Sequence, residues 1–145
     1  MRVCGVELKG SEAIICLLNY DGEAFNVPEC RQRVFTVSNS SEAENIRDFH
    51  FAFDKLMEDY KVDEIVIIER FQKGKFAGGA TGFKLEAAIQ LQARPVSLMP
   101  TKQIKEQLKR NPMQADFDAL ELKRFQKPAF DVAYTYQNTK IYEKN

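Results

Sequence analysis

Three acidic residues stand in apolar surroundings. Glu7 follows the apolar stretch of "RVCGVEL", Glu69 ends "DEIVIIE", and Asp131 lies among Phe130, Val132, Ala133 and Tyr134 in "KPAFDVAYTY". A carboxylate in such company needs a proton, a partner or a cation, because burial disfavours its charged form. An oxygen-only donor set suits a hard cation such as Mg²⁺ or Mn²⁺. Each acid also has a plainer explanation. Glu69 can be a solvent-facing strand end, and Asp131, one turn into a helix, is favoured there by the helix dipole. Cys4, Cys16 and Cys30 contain no CxxC pair and only His50 could join them, so reduced thiols are expected rather than a zinc site.

The residues after Glu69 carry a second chemistry. "RFQKGKFAGGATG" is basic and glycine-rich. Arg70, Lys73 and Lys75 could meet phosphates, and Gly74, Gly78 and Gly79 would let a nucleic-acid backbone come close. Phe71 and Phe76 could stack on unpaired bases, or simply pack inside the protein. Lys102, Lys105 and Lys109 recur at three to four residues and charge one helical face, which either meets a partner or is solvated. The formal net charge of zero hides this polarity. Residues 1–69 hold 7 Lys/Arg against 14 Asp/Glu, whereas residues 70–127 hold 12 against 5. An asymmetry of that kind can put a basic surface on one side of a neutral molecule.

The elements that must position these groups are legible from periodicity. "RVCGVEL" and "EAIICLLNY" are β-rich runs joined by a "KGS" turn, and "RQRVFTV" supplies a third antiparallel strand. "SSEAENIRDFHFAFDKLMEDY" changes period: Ile46, Phe49, Phe53, Leu56, Met57 and Tyr60 form a helical stripe, with Ser41 and Glu44 at capping-box spacing and His50 beside the stripe. "DEIVIIE" reads as a strand covered on both faces. "GFKLEAAIQLQA" reads as a helix with Phe83, Leu85, Ala88, Ile89 and Leu91 inside. "RPVSLM" is a short strand, "PTKQIKEQLKR" a helix stopped by Asn111-Pro112, "ADFDALELKRF" a weak helical segment, and Pro128 opens a final helix. The expected architecture is one α/β domain over residues 1–145. It has a five-stranded mixed sheet in the order 3-2-1-4-5 and helices on both faces, the first and fourth strands lying parallel at the centre. Val6 and Leu8 then point away from Glu7, and Glu7 and Glu69 follow apolar stretches on the two central strands, so their carboxylates could face each other, which is costly unless a proton or a metal lies between them. No run approaches the roughly 18 apolar residues of a membrane helix, and the charged N-terminus does not read as a signal peptide, so a cytoplasmic protein is expected.

The ordered set "MRVCGVELKGSEAIICLL", "EIVIIERFQKGKFAGGATGFKLEAAIQLQ", "RPVSLMPTKQIKEQLKR" and "KPAFDVAYTY" resembles the RuvC-type Holliday-junction resolvases of the RNase H-like superfamily. It also resembles a group of short bacterial proteins assigned to that superfamily. The resemblance covers nearly the whole chain, with a compressed stretch at residues 111–127. It implies an RNase H-like fold, a metal site of Glu7, Glu69 and Asp131 that is also catalytic, and Lys105 near DNA phosphates. It further implies Mg²⁺ or Mn²⁺ as cofactor, DNA as partner and a homodimer. Two positions depart from the family pattern. Glu7 is one methylene longer than the family's Asp, and Pro128 stands where the first acid of the last-helix pair belongs. Asp116 and Asp118 are the acids available to replace it, though no spacing places them there.

Three functions follow as expectations. The first is a divalent-metal-dependent nuclease hydrolysing phosphodiester bonds in structured or branched DNA, two ions clamping the phosphate. The second is an RNase H-like protein that binds nucleic acid without cutting it, which the two departures favour. The third is a protein-interaction domain with no nucleic-acid role, which zero net charge favours.

Overall fold

The computed structural model describes residues 1–71, 73–74, 79–111, 120 and 122–143. Lys75, Phe76, Gly78, Asp116 and Asp118, and with them most of the weak helical segment, lie outside the described residues. The chain begins with the hairpin expected from its two apolar runs, β1 (Arg2–Lys9) against β2 (Glu12–Tyr20), in register from Arg2↔Asn19 to Lys9↔Glu12. Gly10 turns the corner with φ 59°, a left-handed conformation that glycine adopts without a Cβ penalty. Two short strands then share the free edge of β2. β3 (Phe25–Asn26) pairs Asn19 and Tyr20, and β4 (Val34–Thr36) pairs Glu12 to Ile14. The expected third strand is therefore β4, shorter than its sequence run, and β3 is an addition. β5 (Glu64–Glu69) lies parallel to β1, and β6 (Val96–Pro100) parallel to β5. The sheet order is β3-β2-β1-β5-β6 with β4 beside β2. This is the expected mixed sheet with its two central parallel strands, carrying a sixth described strand.

Strand alternation sorts the core into two layers. Cys4, Val6, Leu8, Ile15, Ile65 and Ile67 face α1 (Ala43–Asp59) and α2 (Ala80–Gln90). Val3, Ile14, Cys16, Leu18 and Val66 face α3 (Thr101–Arg110) and α4 (Lys127–Glu143). The stripe on α1 buries Phe49, Phe53, Leu56 and Met57, with Phe35 edge-on to Phe49 at 5.8 Å between centroids. His50 Nδ1 donates to the Ala88 carbonyl, 2.9 Å away, and so ties α1 to α2.

Two local expectations fail. The Ser41–Glu44 capping box does not form. Glu42 is the N-cap residue without a side-chain bond, and Asn39 Oδ1 accepts from the Ser41 amide instead, so a turn upstream satisfies the donor that the helix start would have used. Leu91 is not inside: it is 76% exposed because it follows Lys84 and Ala87 at helical spacing on the outward side of α2, while Leu85 and Ile89 face the core.

α4 crosses β1 at Gly5. A Cβ built there would collide with the Ala129 carbonyl oxygen and with the Ala133 methyl, so the helix reaches the sheet only because residue 5 has no side chain. We expect Gly5→Ala to cost about 1–3 kcal/mol through overpacking, read as a lower urea midpoint with an unchanged slope; a neutral result would mean that α4 packs elsewhere.

Candidate metal and nucleic-acid site

Glu7 is on β1 in the phase of Val3 and Gly5, so it projects to the face covered by α4, while Val6 and Leu8 enter the opposite layer. It is half-buried, and desolvation pushes its carboxyl above the ordinary 4.5, with the Lys9 ammonium pulling weakly the other way. Asp131 lies on the same side, one turn into α4. Burial raises its pKa, and Lys127 opposes the shift: its ammonium donates to both carboxylate oxygens at 3.0 Å, an i,i+4 pair across the first turn. The charge of Asp131 is felt by Cys16 of β2, whose thiol is pushed up to about 12, first by burial, then by Cys30 and by Asp131. Because Cys16 is the register partner of Gly5, Asp131 lies over the β1–β2 pair.

Glu69 has gone to the other side. It is exposed, keeps the phase of Ile65 and Ile67, and pairs with Pro100 in the ladder. Its charge is felt by Glu86 of α2, on the same side of the sheet. The register Val6↔Ile67 explains why: continued by one residue it sets Glu7 opposite Ile68, and alternation separates Glu7 and Glu69 by a face. Among the described residues, no three of His, Cys, Asp and Glu converge on a point that could hold a metal ion. Glu7 and Asp131 suit a hard cation, being desolvated oxygen donors on one face. Glu69 would join them only from the sheet's rim.

The basic residues divide likewise. Lys73 is exposed after β5, and Lys102, Lys105 and Lys109 are exposed along α3, whose apolar side buries Ile104. Arg70 instead turns inward. Its guanidinium lies against the helix backbone at Gly82, where any Cβ would collide with Nη1, and sits 5.3 Å from the centroid of the Phe83 ring. Nη1 is buried and has no hydrogen-bond partner among the described residues. Glu86, 9% exposed, is raised by desolvation, lowered by Arg70 and raised by Glu69. Sequence reading passed over Glu86. The signal was present: Gly82, Leu85, Glu86 and Ile89 share the inward stripe of α2, so Glu86 is an acid on a buried face.

The layered sheet and its helix positions define an RNase H-like fold of the RuvC type. The chain is similar to the RuvC structure of Thermus thermophilus, with a TM-score of 0.72 at 15% identity over 93% of this chain and 92% of that one. It is also similar to T. thermophilus RuvC in complex with a Holliday junction substrate, with a TM-score of 0.67 at 12% identity over 93% and 91%. A third match is the fowlpox virus resolvase in complex with Holliday junction DNA, with a TM-score of 0.55 at 12% identity over 96% and 98%. The chain belongs to the family described as protein of unknown function (DUF3010), whose model matches residues 1–136. No curated protein sequence matches it. No helix among the described residues is long and apolar enough to cross a membrane.

Glu7 provides a sign-defined test. A carboxyl whose pKa is higher folded than unfolded contributes stability that is fully present below the unfolded value, near 4.5, and is lost as pH rises through the folded value. Glu7→Gln removes that loss. With divalent ions chelated, the variant should melt higher than the natural protein at pH 7, and the advantage should shrink to nothing as pH falls below about 4.5. A variant that melts lower at pH 7 would show that the ionised Glu7 is held by a stabilising partner.

Proposed function

We propose that the chain binds structured or branched DNA and hydrolyses its phosphodiester bonds with Mg²⁺ or Mn²⁺ held by Glu7 and Asp131, Glu69 completing the site from the rim. One observation carries the reading: Glu7 and Asp131 are two half-buried carboxylates on one sheet face, both raised by desolvation. Such a pair is stabilised by a cation more than by water. When bound, the ion polarises a phosphoryl oxygen and acidifies a water. The chain's own residues then have distinct tasks. Lys73 and the α3 lysines, Lys102, Lys105 and Lys109, meet backbone phosphates on either side of the carboxylates, and Lys75 extends that set. Arg70, seated on Gly82 and Phe83, anchors the start of the basic segment to α2. The fold likeness to proteins solved with Holliday junction DNA supports nucleic acid as the partner.

A second reading rests on Lys127. Its ammonium already engages both oxygens of Asp131, and Pro128 follows it where the resemblance calls for an acid. A protein built so would hold DNA without cutting it.

The readings separate in one set of measurements. For the nuclease, Mn²⁺ at about a hundred times its dissociation constant stabilises the fold by about 2.7 kcal/mol, or roughly 5–10 °C in Tm. Glu7→Gln and Asp131→Asn abolish both that shift and cleavage of branched, single-stranded or hybrid substrates. DNA binding that weakens steeply with salt, without cleavage, would establish the second reading. Absence of any metal shift and of any DNA binding overturns both.

A further inference from the structure

One turn of the chain reverses the usual sorting of side chains. In the 3₁₀ turn Arg124–Gln126, which leads into α4, the polar Gln126 is 3% exposed and the aromatic Phe125 beside it is 46% exposed. Gln126 is inside because the edge of β2 needs it there. β4 pairs β2 from Glu12 to Ile14 and β3 pairs it at Asn19 and Tyr20, so among the described residues the edge between them has no strand beside it. Gln126 Nε2 donates to the Ile15 carbonyl in that gap at 3.0 Å, and its Oε1 accepts from the Lys123 amide at 3.0 Å. Leu122, one turn earlier, packs on the second core layer. Pinned in this way, the turn presents Lys123, Arg124 and Phe125 to solvent, with Lys127 directly after. From Leu122 to Phe130 the chain holds three cations and no acid.

The turn stands near both desolvated carboxylates. Ile15 is the register partner of Val6, the residue before Glu7, so Gln126 docks on the strand next to the one that carries Glu7. Asp131 follows in α4, and Lys127, at the junction of turn and helix, holds its carboxylate. A single exposed phenylalanine is ordinary on a protein surface. A half-exposed ring on a pinned backbone, set among cations and beside two such acids, has the chemistry of a stacking platform: the ring takes the flat face of an unpaired base while the cations meet the phosphates around it. We infer that Phe125 stacks on an unpaired nucleotide of DNA, as at a branch point, with Lys123 and Arg124 on the adjoining phosphates. The platform presupposes the nucleic-acid reading proposed above and specifies what is bound there, a base out of its helix rather than a continuous duplex. Every base has a π-face, so such a platform selects strand state and tolerates any sequence.

The test is a fluorescence titration of the full chain with divalent ions chelated, so that no substrate is cut. Two DNAs are compared: a blunt duplex, and the same duplex with a single-stranded branch carrying the fluorescent adenine analogue aminopurine at the branch point. The natural protein should prefer the branched DNA and change the aminopurine emission on binding. Phe125→Ala should reduce that preference roughly 5- to 150-fold and abolish the emission change, while far-ultraviolet circular dichroism and Tm stay those of a folded protein. Phe125→Trp should keep both signals, and Phe125→Leu should lose them as the alanine variant does. Lys123→Ala and Arg124→Ala should weaken both DNAs alike and make the salt dependence shallower. A preference indifferent to Phe125→Ala overturns the platform and leaves the nucleic-acid reading standing. Full binding by Phe125→Leu also overturns it, because the contact would then be apolar packing without stacking. A protein that binds neither DNA overturns the platform and the nucleic-acid reading together.

Discussion

The contact of α4 with β1 at Gly5 is the constraint from which the rest of the site descends. A helix lies about 10 Å from a sheet when both present ordinary side chains, and it comes closer only where one of them has none. Gly5 provides that gap under Ala129 and Ala133, two more small side chains. The close approach seats Phe130, Val132, Ala133 and Tyr134 in the second core layer. It also carries Asp131, between them in sequence, to a half-buried position over β1 and β2. Glu7, two residues beyond Gly5 and in the same phase, emerges on the same face. The glycine therefore sets where both acids are, although it touches neither with a polar group.

The acids that the fold desolvates are answered by cations of its own. Lys127 lies on Asp131, and Arg70 lies near Glu86 and Glu69. The second case is unusual in its geometry. A guanidinium is weakly hydrated for a cation and planar, so it tolerates a seat on a glycine backbone and an aromatic ring. Among the described residues Nη1 has no acceptor, and a buried donor without one forfeits its bond to water. The segment that follows Glu69 is thus held to α2 at its first residue, and Lys73 beyond it is free to face solvent.

Much of the fold was legible because its signals are local. Alternation in "RVCGVEL", a continuous apolar run in "EIVIIE", and a stripe from Phe49 to Met57 each report a period that the backbone imposes. The errors came where a residue's fate depends on something outside its own window. Leu91 is apolar, yet it falls in the phase of the exposed Lys84 and Ala87 rather than of Leu85 and Ile89. Ser41 has capping-box spacing, yet Asn39 captures its amide. Phe51 lies just off the α1 stripe, and only the position of α2 reveals a groove beside it. Glu86 was visible as an acid on an inward stripe, but nothing local could name Arg70 as its companion.

By itself, the sequence determined the layered α/β architecture, the central place of the two strands that became β1 and β5, and two of the acids, Glu7 and Asp131, that burial perturbs. Those properties follow from periodicity and from the cost of putting charge in apolar company, both of which act along the chain. Only the tertiary structure decided which acids share a face. Strand parity and inter-strand register act between segments distant in sequence, and a shift of one residue moves a side chain through the sheet. That is why Glu7 and Glu69, similar in sequence context, part company, while Asp131 from the far end of the chain comes to the side of Glu7.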